Sequence, residues 1–183
     1  METGKIIVMA NQKGGVAKTS STRNLAYSLA ELGKKVLAVD FDPQTNLTIS
    51  FGVAPAALQE TAASLMMKLV MDEALPEKES CILNIGKVDL LPSKKTLTVA
   101  EVNLLIERKD DCLAKLLAPL RADYDYILVD TGPSLGSLTI NAFTAAAAIL
   151  IPVDPELFAP VGLKELTETI LQNKQKLKPK GGN

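Results

Sequence analysis

Ten residues hold the clearest chemical potential of this 183-residue chain: Asn11-Gln12-Lys13-Gly14-Gly15-Val16-Ala17-Lys18-Thr19-Ser20. They follow a short apolar run and open a helical pattern, the setting in which a loop holds phosphate. Gly14 and Gly15 remove side chains, so backbone N–H groups can curl around an anion. Lys18 can reach β- and γ-phosphates, and Thr19 offers a hydroxyl to Mg²⁺. The positive end of the following helix completes a cradle that takes in Val16, Ala17 and Ser20. The ordinary pattern G-x-x-x-x-G-K-[ST] has Gln12 and Ala17 in place of its glycines. What fits is K-G-G-x-x-K-[ST], with an additional Lys13 five residues before Lys18. A plain glycine turn with solvated lysines explains less of this spacing.

Carboxylates form the second group. Asp40 and Asp42 in Val39-Asp40-Phe41-Asp42-Pro43-Gln44 lie two apart in an extended segment, so they share a side. Alone, a polar turn capped by Asp would be the better explanation. With the phosphate loop one βαβ unit upstream, a role at a ligand is favoured. Asp130 ends the apolar run Tyr126-Ile127-Leu128-Val129-Asp130 and can hold Mg²⁺ through water. The plainer alternative is a buried strand ending in a surface Asp.

The elements that must position these groups can be read from periodicity. Apolar runs at 6–10, 36–40, 82–85 or 88–91, 126–130 and 149–153 are apolar on both faces, as parallel strands covered by helices are. Helical patterns cover 18–32, 61–71, 99–120 (as one helix or two), 138–147 and 162–177. This alternation predicts an α/β fold: a doubly wound, mostly parallel sheet flanked by helices.

Residues 11–20 resemble the deviant Walker A loop of the ParA/MinD superfamily of ATPases, and within it the ParA (Soj-like) partition proteins. Residues 40–44 resemble the D-x-D-P-Q switch, and 126–130 a Walker B strand. The stretches 137–153 and 155–163 are also similar, so the resemblance covers most of residues 5–177. It implies a P-loop ATPase domain over 1–183, cut short at its C-terminus relative to the family. It implies ATP and Mg²⁺ as ligands, with Thr19, Asp40 and Asp130 at the metal and Asp42 activating water. Lys13 would reach across an ATP-sandwich homodimer to the partner's nucleotide. Non-specific DNA and a centromere-binding, ParB-like protein would be the partners, in the cytoplasm and on the nucleoid. Ala17 departs from the family's more usual Gly, and a retained loop is expected if φ there is negative. Gly132 replaces the first proline of a two-proline turn, which implies a looser γ-phosphate-sensing switch.

Composition narrows the alternatives. The chain has 20 Lys+Arg against 21 Asp+Glu and no His, which excludes His-dependent triads and imidazole metal sites. Two Cys are too few for a disulfide scaffold or a four-cysteine zinc site. A net charge of -1 offers no global attraction to nucleic acid, so DNA contact would need a local patch. Lys94, Lys95, Arg108, Lys109, Lys174, Lys176, Lys178 and Lys180 are the candidates, though a charge run is more often a solvated face. No 18-residue apolar stretch or amphipathic terminal helix is present, so no membrane is expected and a MinD-like positioning role is the weaker reading. A cluster-holding iron protein would need cysteines after Asp130, where this sequence has none, and a tyrosine kinase a tyrosine-rich tail, where 172–183 has no Tyr. A small-molecule ligase, or a nucleotide-binding regulator with negligible hydrolysis, stands as an alternative.

Overall fold

The apolar runs become strands because only a sheet covered on both faces hides residues that are apolar on both sides. The computed structural model describes residues 3–153 and 159–177, apart from the side chains of 159–162 and 176–177. Its strands are β1 (Lys5–Met9), β2 (Val36–Phe41), β3 (Leu83–Ile85), β4 (Val88–Leu91), β5 (Tyr126–Thr131) and β6 (Ala148–Leu150). Its helices are α1 (Lys18–Glu31), α2 (Asn46–Ser50), α3 (Ala62–Val70), α4 (Leu97–Glu107), α5 (Cys112–Leu117), α6 (Ser137–Ala145) and α7 (Ala159–Leu177). The strands form one sheet in the order β3-β4-β2-β5-β1-β6. Every pairing is parallel except the β3–β4 hairpin. The doubly wound, mostly parallel architecture is therefore the one that the alternation predicts.

Strand β2 shows how the two faces are filled. Leu37, Val39 and Phe41 enter a core beneath α3 to α6, whereas Val36 and Ala38 enter a smaller one with Ala26 of α1 and Leu47 of α2. All six residues of β2 are buried. Burying an aliphatic side chain contributes about 1.5–3 kcal/mol, so this strand is a main source of cohesion.

Differences from the sequence reading are local. Segments 82–85 and 88–91 are both strands, joined through Gly86 at φ 69. The pattern over 99–120 is two helices and a 3-10 turn (Pro119–Ala122), because α4 ends where Arg108 turns left-handed at φ 52. The strand expected over 149–153 runs only over Ala148–Leu150. Helix α2 is too short for a helical period to show. Of the similar stretch 155–163, residues 155–158 lie outside the described residues.

Register brings the chemistry together. Asp40 of β2 pairs with Asp130 of β5, and Asp130 with Met9 of β1. The loops after three central strands thus open on one edge, the carboxyl edge where doubly wound sheets take ligands.

Candidate functional site

A cavity of about 410 Å³ lies on that edge. Gly14, Gly15, Ala17, Lys18, Thr19 and Ser20 line one side, and Asp42, Gln44, Asn46, Thr131 and Pro133 the other. Val16 is buried beneath the loop and does not line the cavity. Lys13 is exposed, and its backbone N–H donates to Asn11 Oδ1 at 2.9 Å.

The loop is built with backbone conformations that matter. Gly15 has φ 78, which a glycine adopts without strain. Ala17 has φ 60, so the negative φ set as the condition for a retained loop is not found. The loop is retained, but with an alanine in the left-handed region, at a cost of about 1–2 kcal/mol. Thr45, just before α2, has φ 61 and is buried, a second strained residue beside the same cavity.

Lys18 is buried, and its ammonium donates to the carbonyls of Asn11 (2.9 Å) and Lys13 (3.1 Å). Burial lowers its pKa, opposed by the charges of Asp130 and Asp42. Thr19 donates its hydroxyl to Asp130 Oδ2 at 2.6 Å, which joins the phosphate loop to β5. Thr22, one turn on, donates to Asp130 Oδ1 at 3.3 Å and to the Lys18 carbonyl at 3.0 Å. Burial raises the pKa of Asp130 to about 7; the Thr19 bond opposes this, while the charges of Asp40 and Asp42 add to it.

Asp40, expected near the Mg²⁺, accepts hydrogen bonds from the protein on both oxygens. Its Oδ2 accepts the Thr48 backbone N–H (2.8 Å) and hydroxyl (2.6 Å), and its Oδ1 accepts the Asp42 N–H (3.2 Å). Both oxygens are thus engaged by protein donors, so Asp40 fixes the start of α2 and the backbone of Asp42. Burial raises its pKa to about 6, against the Thr48 bonds. Ser93 extends this network by donating its N–H to the Thr48 hydroxyl at 3.0 Å. Asp42 Oδ1 accepts the Gln44 N–H at 2.9 Å, and the side chain lines the cavity.

Thr22, Thr48 and Ser93 lie outside the motifs that the sequence displays. Thr22 could have been found, since it lies three residues after Thr19 on one helix face. Thr48 and Ser93 carried no signal, because α2 itself was not read. Among the basic candidates, Lys94 donates to the Leu58 carbonyl, and Lys109 pairs with Asp72 at 2.8 Å and donates to the Val70 carbonyl. Lys95, Arg108 and Lys174 are exposed. Lys178 and Lys180 lie outside the described residues, as does the side chain of Lys176. No described helix is long and apolar enough to cross a membrane.

The chain matches the AAA_31 family, described as an AAA domain, over residues 4–180. It is 38% identical over 168 residues to the sporulation initiation inhibitor protein Soj of Bacillus subtilis, covering 91% of this chain and 65% of that one. It resembles a cobyrinic acid a,c-diamide synthase of Mycobacterium smegmatis with bound ATP analog and magnesium: TM-score 0.85, 34% identity, 94% of this chain and 69% of that one. It also resembles a plasmid partition protein of Borrelia burgdorferi bound to AMPPNP: TM-score 0.81, 30% identity, 94% of this chain and 72% of that one. The chain spans between 55% and 65% of the length of several curated relatives that it matches. With the deviant phosphate loop, the paired Thr19 and Asp130, and these likenesses in sequence and fold, the chain belongs to the AAA_31 family, within the ParA/MinD superfamily of P-loop ATPases.

Proposed function

We propose that this chain is the ATPase domain of a partition system, binding Mg-ATP in the cavity at the sheet's carboxyl edge and hydrolysing it slowly. The observation that carries this reading is the 2.6 Å bond from Thr19 to Asp130 at the mouth of the glycine loop, with Asp42 on the opposite wall. A hydroxyl beside a carboxylate is a hard-oxygen donor set that fits Mg²⁺, which enters such sites with phosphates and neutralises their charge. Residues 14–20 hold the phosphates. Lys18 leaves its two carbonyl acceptors for phosphate oxygens, a stronger charge-assisted bond. Asp42 orients the attacking water, while Asp40 keeps Asp42 in place from behind.

By its likeness to Soj and to the partition protein, the chain dimerises with ATP, and Lys13 contributes charge to the partner's nucleotide. The dimer gathers basic residues onto one surface and binds DNA without sequence preference, in a salt-sensitive manner. A centromere-binding protein stimulates turnover, and the protein resides on the nucleoid in the cytoplasm. Residues 1–183 act here as one P-loop domain.

The test is to follow phosphate release and DNA retention together, with and without a centromere-binding partner. Turnover raised by that partner and DNA retention that depends on ATP are expected. A Lys13→Gln protein should bind ATP yet stay monomeric by light scattering with a non-hydrolysable analogue; a dimer there would remove Lys13 from the mechanism. The likeness to the diamide synthase favours a second reading, an ATP-dependent ligase. That reading requires ATP consumption to depend on a small carboxylate acceptor rather than on DNA or a partner.

A further inference from the structure

We infer that Gly132 is a positioning residue for Asp42: its missing side chain leaves the space that the carboxylate occupies beside the phosphate cavity. Gly15, Gly33, Gly52 and Gly86 all have positive φ and are needed for conformation. Gly132 is not among them, so an L residue could adopt its backbone without strain. What its missing side chain provides is space. A Cβ at this position would lie 3.2 Å from Asp42 Oδ1, 3.4 Å from Cγ and 3.6 Å from Oδ2. These three atoms are its nearest neighbours, so the vacant volume beside residue 132 is taken up by the Asp42 carboxylate.

Oδ1 is also the oxygen that accepts the Gln44 N–H at 2.9 Å. The carboxylate thus accepts one backbone donor and fills the space that a side chain at residue 132 would need. Asp42 is buried, with 6% exposure, and the open space beside it is the cavity that its side chain lines. A methyl at 132 must push Oδ1 by a few tenths of an ångström, which displaces the acceptor of the Gln44 bond. Catalytic groups lose efficiency over displacements of about 0.5 Å. Nucleotide affinity should be spared, because the phosphates are held by residues 14–20 on the other wall. This inference rests on the reading of the cavity as a site of ATP hydrolysis, with Asp42 orienting water.

A double-mutant cycle on the full chain tests it, using Gly132→Ala, Asp42→Ala and the pair. Mg-ATP affinity, single-turnover phosphate release and the melting midpoint are measured for each. Gly132→Ala should keep affinity within about twofold and slow phosphate release by roughly tenfold, the effect expected of a small misplacement. Its effect on the melting midpoint should be more favourable in the Asp42→Ala background, where the methyl finds open space. Equal midpoint shifts in the two backgrounds would overturn the contact, and unchanged phosphate release with a clear coupling would overturn the positioning role. If the wild-type chain releases no phosphate, the hydrolytic reading falls. The midpoint cycle, which needs no turnover, then decides whether Gly132 places the carboxylate.

Discussion

The two ends of the sheet each carry a hollow, and the larger is not the one ringed by buried charge. At the amino ends of β2, β4 and β5 a cavity of about 570 Å³ is lined by Lys34, Lys35, Lys78, Lys87, Asp89 and Asp123 among others. Its charges are mostly exposed and quenched by neighbours: Lys78 pairs with Asp123, Lys87 with Glu31, and Tyr124 donates to Asp89 at 2.7 Å. At the carboxyl ends the cavity is about 410 Å³, but Lys18, Asp40, Asp42 and Asp130 beside it are all buried. Holding charge out of water is costly, and a protein that does so around a cavity has spent stability on a task. The difference teaches that burial of charge separates the two hollows and marks the candidate site, where volume does not.

The largest effect expected is from Lys18→Ala, which should weaken Mg-ATP binding on the order of 100-fold in a fluorescent-nucleotide titration. Unchanged affinity would move the site away from the carboxyl edge. Asp42→Ala should leave ATP bound but slow phosphate release by roughly 10²-fold, the scale of a positioned base; wild-type turnover would leave this carboxylate without a catalytic part. The pH dependence of stability comes next. Asp130 at about 7 and Asp40 at about 6 lie above the ordinary carboxylate value of about 4. The folded chain then keeps protons that the unfolded chain releases, so these groups favour folding at low pH and that contribution is lost as pH rises to about 7. The melting midpoint of the nucleotide-free protein should fall between about pH 4 and pH 7, and Asp130→Asn should flatten the fall. A parallel fall in the variant would mean that Asp130 ionises normally.

Smaller still, Ala17→Gly should stabilise the chain by about 0.5–1 kcal/mol in denaturant melts, as relief of left-handed strain outweighs the added chain entropy. A loss would show that the loop tolerates Ala17 unstrained. At the other end of the sheet, Lys78→Ala should change nucleotide affinity by less than about twofold, as its ion pair is exposed. A clear loss there would erase the contrast between the two hollows.

How far the site could be read in advance follows from where its information lies. The phosphate loop is contiguous, so Gly14, Gly15, Lys18 and Thr19 declare themselves by spacing. Asp130 could be read because a long apolar strand ends on it. The surroundings of Asp40 are illegible for the opposite reason: they depend on Thr48, eight residues on, in a helix of five residues that shows no period. The left-handed φ of Ala17 is also invisible, since alanine is not the residue that ordinarily marks that conformation. Strands buried on both faces were legible by composition, but the hairpin of β3 and β4 was not, because two short apolar runs compete for one strand.

The parallel register has a consequence for how the chain is made. Strand β1 finds its neighbours only in β5 and β6, about 120 residues later in the sequence. At ribosomal speeds of roughly 5–20 residues per second, β1 waits about 6–24 s after its synthesis for the strand that will cover its flank. The β3–β4 hairpin, by contrast, can close as soon as it leaves the ribosome. The phosphate loop directly follows β1, so the first functional residues to be translated are among the last to acquire their shape.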